Sequence, residues 1–278
     1  MAERRSIYVA CGAHELHASV WGDSAKPALV MWHGLARTGR DFDEAAAALS
    51  ADYFVICPDT LGRGLSSWAV DVATDYSYAA YGAHAAALLD ALGVGKVRWV
   101  GTSMGGLIGV TLAAGPLKDR ITHLAVNDIG PWIPEAATGR IADYVGNPPK
   151  FHTIGDLEQW LRTSYAPFGP NSDAFWRRMA DTSMRRADDG RVTVHYDPNI
   201  VTQFTVHKSD LDCWDAWDAL DLPALLLRGE NSDVLPANVA QDMVARGPKP
   251  QLVEFAGVGH APTLATDREI AVLREFLA

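Results

Sequence analysis

"VGTSMGG", residues 100–106, follows the apolar run "VRWV" (97–100) and opens into "LIGVTLAAG" (107–115). Two readings of Ser103 compete. It is a common residue at a helix N-cap, where its hydroxyl takes a backbone N–H. It is also the central residue of G-x-S-x-G, formed here with Gly101 and Gly105. That pattern marks a nucleophile held out on a sharp strand-to-helix turn, which closes only where neighbouring side chains are small. The pentapeptide does not decide between them, so the residues around it must.

Short apolar runs alternate with helix-like segments along the chain. "RSIYVA" (5–10) and "ELHASVWG" (15–22) read as two antiparallel strands joined at a glycine turn. "PALVMW" (27–32), "YFVICPD" (53–59), "VRWV" and "ITHLAVND" (121–128) read as buried strands. Between them, 42–50, 76–92 and 104–115 carry apolar residues at helical spacing. The pattern returns with "PALLLRG" (223–229), a helix near 237–246, the strand "PQLVEF" (250–255) and a C-terminal helix. This order predicts an α/β fold, mostly parallel, with helices on both faces of the sheet. From about 131 to 212 it breaks, and proline and tryptophan become frequent without buried strands. The expected organisation is a core domain of 1–130 and 213–278, with a helical cap of 131–212 inserted after the sixth strand.

Composition narrows the function. The chain has 278 residues, 48% of them hydrophobic, enough for one substantial core. A formal net charge of −10 argues against nucleic acid and against an anionic membrane surface as partners. Cys11, Cys57 and Cys213 are scattered without metal-ligand spacing. No apolar stretch reaches the roughly 20 residues of a membrane span. No signal-peptide core follows the first arginines. The expectation is a soluble cytoplasmic protein, monomer or homodimer, with no metal and no cofactor.

A serine hydroxyl needs a base. His260, in the glycine-rich loop "GVGHAP" (257–262) after the last strand, is the chosen one of nine histidines. His33, in "WHG", is the competitor and reads instead as organising its own loop. His14 and His17 lack the spacing of a helical zinc pair. His84, His123, His152, His195 and His207 read as structural or solvated. The base needs an acid to fix its tautomer. Asp233, in "GENSDVLP" (229–236), is preferred, and Asp128, in "NDIGP" (127–131), is the alternative. Both preserve the order Ser…Asp…His.

Together with "HG" (33–34) and "DTLGRGLS" (59–66), these motifs resemble those of the α/β-hydrolase fold superfamily over essentially the whole chain. The resemblance implies a second oxyanion N–H from Leu35, paired with that of Met104. It implies scaffold roles for Asp59, Gly62, Gly64 and Ser66, and it favours Asp233 as the acid. A serine at the nucleophile position argues against haloalkane dehalogenases and epoxide hydrolases, which use aspartate there.

The expected activity is hydrolysis of a carboxylic ester of a small or medium, fairly apolar molecule through an acyl-serine intermediate. Alternatives are a carbon–carbon hydrolase of ring-cleavage products, a thioesterase, a lactonase, or a ligand-binding protein on a hydrolase scaffold. Ala261 counts against the carbon–carbon reading, where an aromatic residue commonly follows the histidine. Arg37, Trp132, Trp160, Phe168 and Trp176 are the candidate pocket residues, with Phe175 beside them.

Overall fold

The computed structural model describes residues 3–278. Strands β1 (Arg5–Cys11) and β2 (His14–Trp21) form the expected hairpin, turning at Gly12 with φ +66°. Then follow β3 (Ala28–Trp32), α1 (Asp43–Leu49), β4 (Phe54–Pro58), the single turn α2 (Val72–Asp75), α3 (Tyr78–Ala91), β5 (Val97–Thr102), α4 (Met104–Ala114) and β6 (Ile121–Asn127). Ser77 caps α3 by accepting the N–H of Ala80, satisfying one of the donors a helix start leaves free.

The segment after β6 holds α5 (Glu135–Val145), β7 (Lys150–Phe151), α6 (Ile154–Ser164), α7 (Asp173–Ser183), β8 (Met184–Arg186), β9 (Val192–Val194), α8 (Thr202–Thr205) and α9 (Trp214–Asp218). The chain then returns to β10 (Ala224–Gly229), α10 (Ala237–Ala245), β11 (Gln251–Phe255) and α11 (Asp267–Leu277).

Eight strands make one sheet in the order β1-β2-β4-β3-β5-β6-β10-β11. β2 runs antiparallel to both its neighbours, and every other pairing is parallel. The central strands are apolar throughout because both of their faces are covered. Leu29, Met31, Val55 and Val100 pack beneath α1 and α11. Val30, Trp32, Ile56 and Trp99 face the other way, towards α3 and α4. Trp32 and Trp99 stack at 5.2 Å. No helix of the described residues is long and apolar enough to cross a membrane.

The inserted segment differs from its sequence reading in one respect. It carries a small antiparallel sheet, β7-β9-β8, besides its helices. Strands of two or three residues are too short to show an alternating pattern. Its buried Leu157, Leu161, Trp176 and Met179 join the same apolar cluster as the α3/α4 face of the sheet. The two crossing points lie together, since Cys213 N–H donates to Pro131 O at 2.8 Å. "HYDPNI" (195–200) pins the returning chain to the loop after β4. Asp197 accepts the Tyr76 hydroxyl at 2.6 Å, and its N–H reaches Gly62 O at 2.8 Å.

Candidate active site

Parallel strands that end together bring their following loops to one edge, where ligands of such sheets bind. β3 delivers His33 and Leu35, β5 delivers Ser103, β6 delivers Asp128, β10 delivers Ser232 and Asp233, and β11 leads to His260.

Ser103 sits between β5 and α4 with φ +53° and ψ −120°, a backbone conformation costly for any residue but glycine. The turn is as tight as the motif requires. A Cβ on Gly101 would lie 2.1 Å from Gly105 O, and one on Gly105 would lie 2.1 Å from Trp32 O. The Ser103 side chain makes no cap bond to α4, so the N-cap role is vacant and the hydroxyl is left for His260.

The Ser103 hydroxyl lies 3.0 Å from His260 Nε2 and donates to it. His260 Nδ1–H donates to Asp128 Oδ2 at 2.8 Å. Asp128 is fully buried and also has a positive φ, +58°. Its carboxylate is saturated with donors. Gly229 N–H reaches Oδ1 at 2.8 Å, and the Ser232 hydroxyl reaches Oδ2 at 2.7 Å. A buried carboxylate needs such donors to stay charged.

The aspartate bonded to His260 is therefore Asp128, and not Asp233 as the sequence led us to prefer. β6 is the immediate neighbour of β5, whereas β10 lies one strand further out. In the loop after β10 it is Ser232 that turns towards the His260 side. Asp233, one residue on, has a side chain 55% exposed and accepts from Arg140 Nη2 at 2.6 Å.

Two backbone donors stand ready beside Ser103. Among the described residues, no acceptor takes the N–H of Leu35 or of Met104. Both residues border the same cavity as Ser103 and His260. Behind them lies Arg63, buried and, among the described residues, without a carboxylate partner. It donates to Leu35 O at 2.8 Å, to Tyr81 Oη at 2.6 Å and to Gln203 Oε1 at 2.8 Å, tying the Leu35 loop to the inserted segment.

The cavity measures about 530 Å³ and lies between the strand ends and the inserted segment. Of the five expected pocket residues, Arg37, Trp160 and Phe168 line it. Trp132 instead is 45% exposed on the surface, and Trp176 is buried inside the segment against Phe175. Tyr144, Tyr165, Arg140 and Asn231 also line it, without a sequence signal that marked them. Arg37 is held by Asp41 through two bonds of 2.8 and 2.6 Å, under the Tyr165 ring. A groove of about 620 Å³ between Arg40, Asp59 and His195 contains none of Ser103, Asp128 and His260.

His33, His17, His14 and the Asp59 loop have local partners of their own. His33 donates from Nδ1 to Gly34 O and accepts the Thr60 N–H at Nε2. Burial lowers its pKa to about 4, so it is a neutral brace for its loop. His17 pairs with Asp59 at 2.8 Å and His14 with Asp75 at 3.1 Å. Asp59 also accepts the N–H groups of Gly39 and Leu65, and burial is outweighed by these partners, holding its pKa below the usual carboxylate range. The Ser66 hydroxyl donates to Asp59 O, and a Cβ on Gly64 would collide with the Asp59 carboxylate.

Comparison with known proteins agrees with this architecture. The sequence pattern of the alpha/beta hydrolase fold matches residues 27–264. A 3-hydroxybutyrate-oligomer hydrolase of Cupriavidus necator is 39% identical over 289 aligned residues, covering 99% of this chain and 98% of that one. The crystal structure of an alpha/beta hydrolase from Novosphingobium aromaticivorans superposes with a TM-score of 0.89 at 35% identity, covering 100% and 99% of the two chains. E-2-(acetamidomethylene)succinate hydrolase shares the fold, with a TM-score of 0.87 at 23% identity and 99% of each chain covered. On the motifs, the sheet order and these matches, the chain belongs to the α/β-hydrolase fold family.

Proposed function

We propose that the protein is a serine hydrolase of carboxylic esters, with Ser103 as nucleophile, His260 as general base and Asp128 as its orienting acid. The observation that carries this reading is the unbroken chain of hydrogen bonds Asp128–His260–Ser103, at 2.8 and 3.0 Å, opening into an apolar-walled cavity. Ser103 Oγ attacks the ester carbonyl carbon as its proton passes to His260 Nε2. The oxyanion of the tetrahedral intermediate is held by the N–H groups of Leu35 and Met104, the latter at the start of α4, where the helix dipole favours negative charge. His260 then protonates the leaving alkoxide, the alcohol departs, and an acyl-serine remains. A water molecule, deprotonated by the same imidazole, hydrolyses it and restores Ser103. Asp128 orients the imidazole and stabilises the imidazolium through the Nδ1–H bond.

Residues 131–212 are the cap over this cavity in our reading and set the acyl and alcohol preference. The full-length similarity to a 3-hydroxybutyrate-oligomer hydrolase supports short oligomeric esters of hydroxy acids as the substrate class.

Treatment with a fluorophosphonate ester is expected to add one adduct, located at Ser103 by peptide mass spectrometry. Ser103→Ala is expected to lose both the adduct and ester turnover. Turnover retained in that variant, or an adduct on another residue, refutes the assignment.

A further inference from the structure

The cavity wall carries two arginines, and they are not equivalent. Arg37 is buried, and Asp41 takes its Nε and Nη2 donors in a two-point contact. Arg140, on α5 of the inserted segment, is about half exposed and makes a single bond, to Asp233. Half-exposed pairs of this kind are weak, so one carboxylate replaces another at little cost. Asp233 has no bond to His260, Ser232 or any residue of the relay; Arg140 is its partner. It shows what the guanidinium accepts at that place, a carboxylate. The cavity that Arg140 and Ser103 both line has apolar wall residues as well, among them Ile133, Ile141, Trp160 and Phe168.

We propose that Arg140 is a specificity residue that receives a free carboxylate of the substrate, taking it in exchange for Asp233. The inference rests on the ester-hydrolase reading above and adds the charge of the substrate to it. The class is an ester whose acyl or alcohol part ends in a carboxylate, as a linear oligomer of a hydroxy acid does at one end. The apolar walls take the short aliphatic stretch between that carboxylate and the scissile carbonyl. Arginine suits the task better than lysine, because its planar fork matches a carboxylate and keeps its charge at any working pH.

The test compares one ester with and without the charge, the linear dimer of 3-hydroxybutyrate as free acid and as its methyl ester. The readout is the ratio of kcat/KM for acid over methyl ester. Arg140→Ala is expected to lower this ratio about tenfold, the size of one charge-assisted hydrogen bond. Arg140→Lys should fall between that variant and the wild type. Asp233→Asn removes the competing carboxylate and is expected to raise the ratio. Ratios within twofold of wild type in all three variants overturn the proposal. So does a shift of Arg140→Ala and Asp233→Asn in the same direction, which marks a structural pair and no ligand exchange. Should Arg140→Ala not fold, Asp233→Asn and Arg140→Lys decide by the same criteria. If the wild type cleaves neither dimer nor p-nitrophenyl butyrate, the ester-hydrolase reading itself has failed, a result distinct from an unchanged ratio.

Discussion

Two aspartates follow neighbouring strands of the sheet, and their surroundings could hardly differ more. Asp128, after β6, is sealed from solvent and bonded to His260, Ser232 and the Gly229 amide. Asp233, after β10, is half in water and, among the described residues, bonds Arg140 alone. What separates the proposed orienting acid from the charge at the cavity wall is its set of donors and its strand's distance from Ser103. Chain order is the same for both. Asp128 shares a second mark with Ser103, a positive φ at a residue other than glycine. Such backbone strain persists where the surroundings over-determine it, as they do at a functional turn.

Isosteric removal of each charge separates the two aspartates most forcefully. Asp128→Asn keeps the shape of the site but lets His260 take the wrong tautomer. We expect kcat on a neutral ester to fall about 10³- to 10⁴-fold, the scale seen when a triad acid is neutralised. Asp233→Asn on the same ester is expected to cost at least about a hundredfold less. Steady-state kinetics of the two variants side by side measure the difference. A larger loss at Asp233 reverses the assignment.

A smaller effect separates the two histidines bordering the Ser103 turn. His260 is linked to a carboxylate, whereas His33 is buried against a carbonyl and an amide with its pKa lowered to about 4. The unfolded chain then binds a proton at His33 that the folded chain refuses, between about pH 6.5 and 4. The corresponding stability is fully present above about pH 6.5 and is lost as pH falls through that window, amounting to about 3 kcal/mol. His84, lowered to about 4 mainly by burial, acts in the same direction. Urea unfolding from pH 7 to pH 4 should show this slope, and His33→Gln should flatten it while lowering stability at pH 7. A slope unchanged in His33→Gln contradicts the neutral brace.

Much of the site was legible because it is written in local geometry. G-x-S-x-G between a strand and a helix makes Ser103 a candidate nucleophile, and the tight turn that Gly101 and Gly105 allow is what leaves its hydroxyl free of the helix cap. A glycine-rich loop after the last strand marked His260, which lies 3.0 Å from Ser103, whereas Leu35 came from the family resemblance alone. The partner of His260 was not legible, because the choice between Asp128 and Asp233 depends on sheet order. That order is set by long-range packing, and a one-residue offset in the loop after β10 gives Ser232 to Asp128 and leaves Asp233 half exposed at the cavity wall. The pocket was legible only in part for a similar reason. Trp132, Trp160 and Trp176 are alike in sequence, yet one is exposed, one lines the cavity and one is buried in the inserted segment. Arg140 carried no signal, because a helical arginine reads as an ordinary solvated face until its neighbour across the cavity is known.

The most direct test of the Asp128–His260–Ser103 relay is the proton on His260 Nδ1. In one-dimensional proton NMR, a proton shared between an imidazole and a buried carboxylate resonates far downfield, and its loss in His260→Gln assigns it. The account predicts that this resonance persists in Asp233→Asn and disappears in Asp128→Asn. A resonance lost in Asp233→Asn and kept in Asp128→Asn contradicts it.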